Sequence, residues 1–200
     1  MSTAQTVREH VARTPVRRFI WPAAIEGPRR AVECEMSRLA AEGEVVRVRK
    51  GLYWKGPKTR FGMPLPRPIE VALEVAHPGS GPAGVSAAHS LGLTTQVPAT
   101  EQVAVPGRVP SPVPGVRFVS RSIERRIAGL RPLEVALLEV LRDGPGVVEV
   151  PWTNIGETAR RLAATGEIRP ELLSGQLAHE HHVAARQRWD ELELFEAVSM

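Results

Sequence analysis

Cysteine occurs once in this 200-residue chain, at Cys34, so no internal disulfide can form. That excludes a disulfide-stapled secreted scaffold and fits a reducing compartment. Long apolar runs are missing as well: no stretch approaches the ~18 apolar residues of a membrane-spanning helix. The opening segment, MSTAQTVREHVARTP, is polar and amphipathic and lacks the apolar centre of a secretory signal. Lysine is scarce, with three in all, at Lys50, Lys55 and Lys58. What the chain does have is 42% apolar residues, enough for one or two domains with real cores. A cytoplasmic protein with no membrane partner is expected.

The formal charge of +4 hides an asymmetry. Residues 1–60 hold thirteen Arg and Lys against six Asp and Glu, and the remaining 140 hold thirteen against sixteen. Such a split predicts a head that meets a polyanion and a mildly acidic body. Arg, Ala, Pro, Gly and Val are favoured throughout, so a single arginine says little. The lysines say more, because all three fall in or just after one short segment.

In the first sixty residues the spacing of Ala4, Val7, Val11 and Ala12 predicts an amphipathic helix over 3–13, stopped by Thr14-Pro15. VRRFIW reads as a short extended piece anchored by Phe19 and Trp21, and PAAI as at most one helical turn. Pro28 opens the best helix of this half, and Gly43 closes it as a left-handed cap. Val32, Met36, Leu39 and Ala40 share one stripe, the expected core face. The opposite face collects Arg30, Cys34, Ser37, Arg38 and Ala41, with Arg29 near the start. EVVRVRK and LYWK follow as two strands joined across Lys50-Gly51.

Helix, short turn, second helix, third helix and two-stranded hairpin is the order of a winged helix-turn-helix. In that arrangement the recognition helix enters the major groove, where an arginine can grip guanine bidentately. The wing lies along phosphates, and its cations release condensed counterions while carrying little sequence information. Arg29, Arg30, Ser37 and Arg38 on the helix, and Arg47, Arg49, Lys50, Lys55 and Lys58 on the wing, are the expected contacts to double-stranded DNA. A solvated basic face or a protein-binding hairpin is the plainer alternative. Cys34 reads as a small helix residue rather than a redox sensor.

Eleven of the eighteen prolines lie between Pro57 and Pro114. GMPLPRP reads as a stiff linker, which divides the chain into residues 1–60, a linker over 61–68 and a second domain over 69–200. IEVALEVA and VSAAHSLGL read as helices, EQVAVPG and VRFVSR as short strands around the turn-rich RVPSPVPG. Beyond Leu130 the segments PLEVALLEVLRD, IGETARRLAATGE, PELLSGQLAHE and AARQRWDELELFEAV are helical in pattern. The expected fold class is α+β: a winged helix-turn-helix domain followed by a mixed α/β domain with a helical C-terminal part.

MSRLAAEGEVVRVRKGLYWKGPK, followed by GVSAAHSLGLTTQVPATEQVAVPG over 84–107, resembles the AbiEi-type antitoxins of type IV toxin–antitoxin systems. The likeness is closest to short AbiEi-like regulators with an N-terminal winged helix, covers residues 5–145, and is most specific in HSLGLTTQVP. The resemblance implies a head that binds operator repeats and represses its own operon. It also implies a second domain that neutralises a nucleotidyltransferase-like toxin. A homodimer on DNA suits paired operator repeats.

Other chemistry finds less to stand on. His179 and His182 in AHEHH are three apart, but the motif is not H-E-x-x-H and no third ligand of suitable spacing is near, so no metal is expected. His89 with Ser86 and Ser90 lacks nucleophile-elbow glycines. GSGPAG lacks the Lys-Ser/Thr of a phosphate loop, and Pro82 predicts a surface turn there. No cofactor and no enzymatic activity are expected. Besides the antitoxin-like regulator, two readings stay open: a stand-alone repressor whose second domain oligomerises or binds a ligand, and an enzyme brought to nucleic acid by the winged helix.

Overall fold

Residues 2–192 are described by the structure, a computed structural model of the α+β class. The chain forms two units, Met1–Arg67 and Pro68–Met200. None of the helices among the described residues is long and apolar enough to cross a membrane.

The first unit opens with α1, Thr3–Arg13, capped by the Ser2 hydroxyl, which accepts from the Gln5 amide at 3.3 Å. Val7 and Val11, one turn apart, are its buried residues. β1, Arg18–Ile20, leads through a 3-10 turn over Pro22–Ala24 into α2, Arg29–Ala41. Pro28 sits at the N-cap of α2, and Gly43, with φ 74°, provides the left-handed exit. β2, Val46–Arg49, and β3, Leu52–Lys55, then turn at Gly51, where φ is 75°. β1 pairs antiparallel with β3, giving a three-stranded sheet in the order β1-β3-β2.

Val7, Val11, Ile20, Val32, Met36, Leu39, Val45 and Tyr53 close the core of this unit. Ile20 takes the core position in β1, so strand alternation sends Phe19 and Trp21 elsewhere. Phe19 stacks on Trp54 with centroids 4.8 Å apart, while Trp21, expected as an anchor, is 38% exposed. The first unit also takes in part of the expected linker. The Thr59 hydroxyl donates to the Gly62 carbonyl at 2.6 Å, and the Met63 sulfur accepts from the Gly56 amide at 3.0 Å.

The second unit begins with α3, Pro68–Val75, and continues through β4, Gly81–Pro82, and α4, Gly84–Ser90. The expected surface turn at GSGPAG is instead interior, with Gly79 through Ala83 buried. β4 lies at the sheet edge, where a proline is tolerated. A Cβ on Gly81 would fall 2.5 Å from the Pro132 carbonyl and from the Val135 side chain, so the strand can approach the following helix only as glycine.

β5, Glu101–Pro106, and β6, Val116–Arg121, pair parallel in the sheet order β4-β5-β6. Parallel neighbours usually need a crossover of a dozen residues or more. Here residues 107–115 alone make the return, because an extended chain at ~3.3 Å per residue covers about 30 Å, more than the strand's ~20 Å. Pro110, Pro112 and Pro114 keep that segment extended, and buried Val113 pins it.

Five α-helices follow among the described residues: α5, Glu124–Ile127; α6, Pro132–Asp143; α7, Thr153–Ala164; α8, Pro170–His179; and α9, Val183–Glu191. α6 is buried on every side from Glu134 to Leu141 and forms the centre of the larger core. The final part of AARQRWDELELFEAV, residues 193–200, lies outside the described residues.

Candidate nucleic-acid interface

α2 buries Val32, Met36 and Leu39 and turns Arg29, Arg30, Cys34, Ser37, Arg38 and Ala41 to the surface. Its fourth buried residue is one the sequence reading missed. Glu35, 5% exposed, holds one carboxylate oxygen 3.0 Å from Arg38 Nη1 and the other 2.7 Å from Arg8 Nε. Arg8 also grips Glu42 at 3.1 and 3.2 Å, so one guanidinium ties α1 to both ends of the last half of α2. The i, i+3 spacing of Glu35 and Arg38 is visible in the sequence; the reach of Arg8 is not.

The candidate cations divide by what already holds them. Arg29 Nε meets Glu33 at 3.0 Å, and the Ser37 hydroxyl donates to the Glu33 carbonyl at 2.9 Å. Lys58 Nζ lies 2.6 Å from Glu44. Among the described residues, no hydrogen bond or ion pair holds Arg30, Arg47, Arg49 or Lys50. Arg30, Arg47 and Lys50 are exposed and Arg49 is half-buried. Arg30 stands on α2, and the other three lie along β2 and its turn.

Lys55 does not belong with them. Its ammonium donates to the carbonyls of Val11, Ala12 and Thr14 at 2.6, 3.0 and 2.6 Å. These are the carbonyls a helix leaves without partners at its C-terminus, where the dipole also favours a cation. The expected wing contact is thus a cap that joins β3 to α1. Tyr53 and Trp54, beside the hairpin cations in sequence, are 3% and 5% exposed and serve the interior. Arg17 and Arg18 are exposed at the end of the sheet away from Gly51.

In the second unit, AHEHH is organised around its glutamate. His179 ends α8 with Nδ1 2.8 Å from the Gly175 carbonyl, and His182 caps α9 by accepting from the Ala185 amide at 3.1 Å. Burial, with the nearby charges of Arg142 and Arg188, lowers the His182 pKa. Glu180 between them is buried and bound to Arg125 Nε at 2.6 Å and Arg142 Nη1 at 2.8 Å. Arg125, wholly buried, also meets Glu139 at 2.7 Å, and Arg121 meets the other Glu139 oxygen at 2.6 Å. Burial alone would push the Glu139 carboxyl up, but the Arg121 hydrogen bond and the charges of Arg125 and Arg121 hold it below the usual range.

The Ser86 hydroxyl donates to Glu101 at 2.5 Å, and His89 stands exposed. In HSLGLTTQVP, Leu91 and Leu93 are core, and Thr95 and Gln96 bind an exposed carboxylate. Glu149 accepts from the Thr95 amide at 2.7 Å, the Thr95 hydroxyl at 2.9 Å and the Gln96 amide side chain at 3.0 Å. Led by the Thr95 amide, these bonds lower the Glu149 pKa to about 2.

No protein-family model matches the chain, and no curated protein matches it. Among solved structures, the crystal structure of the RV2827C protein from Mycobacterium tuberculosis is similar over 95% of this chain and 75% of its own, at 20% identity and a TM-score of 0.48.

Proposed function

We propose that the first unit binds double-stranded operator DNA as a winged helix-turn-helix, with α2 as the reading helix and the β2–β3 hairpin as the wing. The observation that carries this reading is that four unheld cations lie on α2 and the hairpin. Arg30 on α2 and Arg47, Arg49 and Lys50 on the hairpin have no internal partner among the described residues, whereas Lys55 and Arg8 are engaged within the fold. The sheet order β1-β3-β2 and the 3-10 turn before α2 suit the same arrangement, with the middle helix reduced to one turn. Arg38, held by Glu35, is pre-set for base contact.

Arg47, Arg49 and Lys50, which are unheld, and Lys58, which would exchange Glu44 for a phosphate, are four phosphate-contacting candidates. At about −0.9 per contact, log K against log[salt] should slope near −3.6. Operator fragments titrated by the full chain at several salt concentrations test this, and a flat slope would remove the DNA reading.

The second unit acts, in this proposal, as the partner-binding half of an antitoxin-like autorepressor that meets a nucleotidyltransferase-like toxin. Its support is the AbiEi-like HSLGLTTQVP segment. Residues 68–200 should rescue cells from the toxin encoded beside the gene without shifting operator DNA. Rescue only by the full chain, through silenced transcription, would replace this with the stand-alone repressor.

A further inference from the structure

The edge of β6 carries a pattern of used and unused backbone groups that matches itself. In the parallel ladder, Glu101 N–H donates to the Gly115 carbonyl at 2.9 Å and Gly107 N–H to the Arg121 carbonyl at 3.0 Å. These bonds fix the parity of the strand: residues 115, 117, 119 and 121 face β5, and Val116, Phe118 and Ser120 direct their backbone groups away from it. Two of the outward groups are already satisfied. Val116 N–H donates to the Val113 carbonyl at 3.1 Å, and the Ser120 carbonyl accepts from Arg121 Nη1 at 3.1 Å. Among the described residues, the Val116 carbonyl, both groups of Phe118 and the Ser120 N–H are left open.

We infer that β6 pairs antiparallel with β6 of a second copy of this chain about a two-fold axis at Phe118. In that register Phe118 lies opposite Phe118 and exchanges two hydrogen bonds with it, and Val116 lies opposite Ser120. The Ser120 N–H of each copy then meets the Val116 carbonyl of the other, both of them open groups. The complementary pair, Val116 N–H and Ser120 carbonyl, needs no partner because each is satisfied within its own chain. Arg117 falls opposite Val119 and Arg121 opposite Gly115, so no like charges stand directly opposite one another. The contact is isologous, closes after two copies and occupies the β6 edge of each.

Four backbone bonds along a six-residue strand make a small interface, below the ~1,200–2,000 Å² of stable complexes. The dimer should therefore dissociate on dilution. It carries two first units, yet the inference does not depend on what they bind.

The test is sedimentation of the full chain over a range of concentrations, with hydrogen exchange read at single amides. A reversible monomer–dimer equilibrium is expected. The Phe118 and Ser120 amides should slow as concentration rises, while Arg117 and Val119, bonded to β5, stay protected throughout. Ser120→Pro deletes an outward N–H and should give monomer; Ser120→Ala keeps that N–H and should dimerise like the parent. Three results overturn the inference: a monomer at every concentration, a dimer that Ser120→Pro leaves intact, or concentration-dependent protection confined to other amides. If Ser120→Pro does not fold, exchange in the parent chain decides the matter.

Discussion

The ammonium of Lys55 stands 2.6 Å from the carbonyl of Val11, closing the C-terminal end of α1 from a strand forty-four residues away. A cation at that site interacts with two further carbonyls and the helix dipole, in a half-buried setting. Lys55→Ala should therefore destabilise the first unit by about 1–2 kcal/mol. Urea unfolding would measure it. At temperatures where the variant remains folded, its affinity for DNA should match that of the parent, and a selective loss of DNA affinity at unchanged stability would return Lys55 to the wing.

Reading and phosphate contact should separate by mutation. Arg30→Ala and Arg38→Ala should each cost on the order of 1–3 kcal/mol against the preferred sequence and flatten preference at one base pair. Lys50→Ala should weaken every sequence alike and bring the salt slope from near −3.6 to about −2.7. Parallel titrations of operator and random duplexes distinguish the two patterns; equal losses on both duplexes from Arg30→Ala would mean that α2 does not read bases.

The buried arginine–glutamate network should respond unequally to its two central members. Losing Glu139 leaves Arg125 wholly buried with Glu180 alone, so Glu139→Leu should cost about 3–5 kcal/mol. Losing Arg125 is milder, since Glu139 keeps Arg121 and Glu180 keeps Arg142. Arg125→Met should accordingly fall below Glu139→Leu in its effect on unfolding free energy, and the reverse order would contradict the pairing.

Acid should act on the loop that HSLGLTTQVP holds. The Glu149 pKa in the folded chain is about 2, below the ordinary carboxylate value near 4.5. A depressed carboxylate contributes stability that is present above the unfolded value and disappears as pH falls through the folded one. The contribution of Glu149 should therefore fade between about pH 4.5 and 2. Glu139 and Glu180, also lowered by their arginine partners against the opposing effect of burial, add to acid sensitivity in the same direction. Comparing melting temperatures of the parent and Glu149→Gln across that range isolates the Glu149 share. The two curves should converge toward pH 2, and a constant separation would show that the carboxylate's charge plays no part.

By itself the sequence determined the elements whose signals are local. The helix over Thr3–Arg13, the stripe of Val32, Met36 and Leu39, and the turns at Gly43 and Gly51 follow from periodicity, capping and the positive φ that glycine accepts. It also placed the exposed cationic face of α2, because a face opposite an apolar stripe has nowhere to go but outward. Tertiary structure decided whatever depended on a partner far along the chain. Lys50 and Lys55 look alike in sequence, yet only Lys55 meets the end of α1, because β3 runs beside it. Trp21 lost its anchoring place to Ile20 once strand alternation was fixed. AHEHH drew notice for its histidines, while Glu180 became its structural centre through Arg125, fifty-five residues away. A composition or a spacing records which charges a chain has; which of them are left for a partner is settled only when the fold has paired the rest.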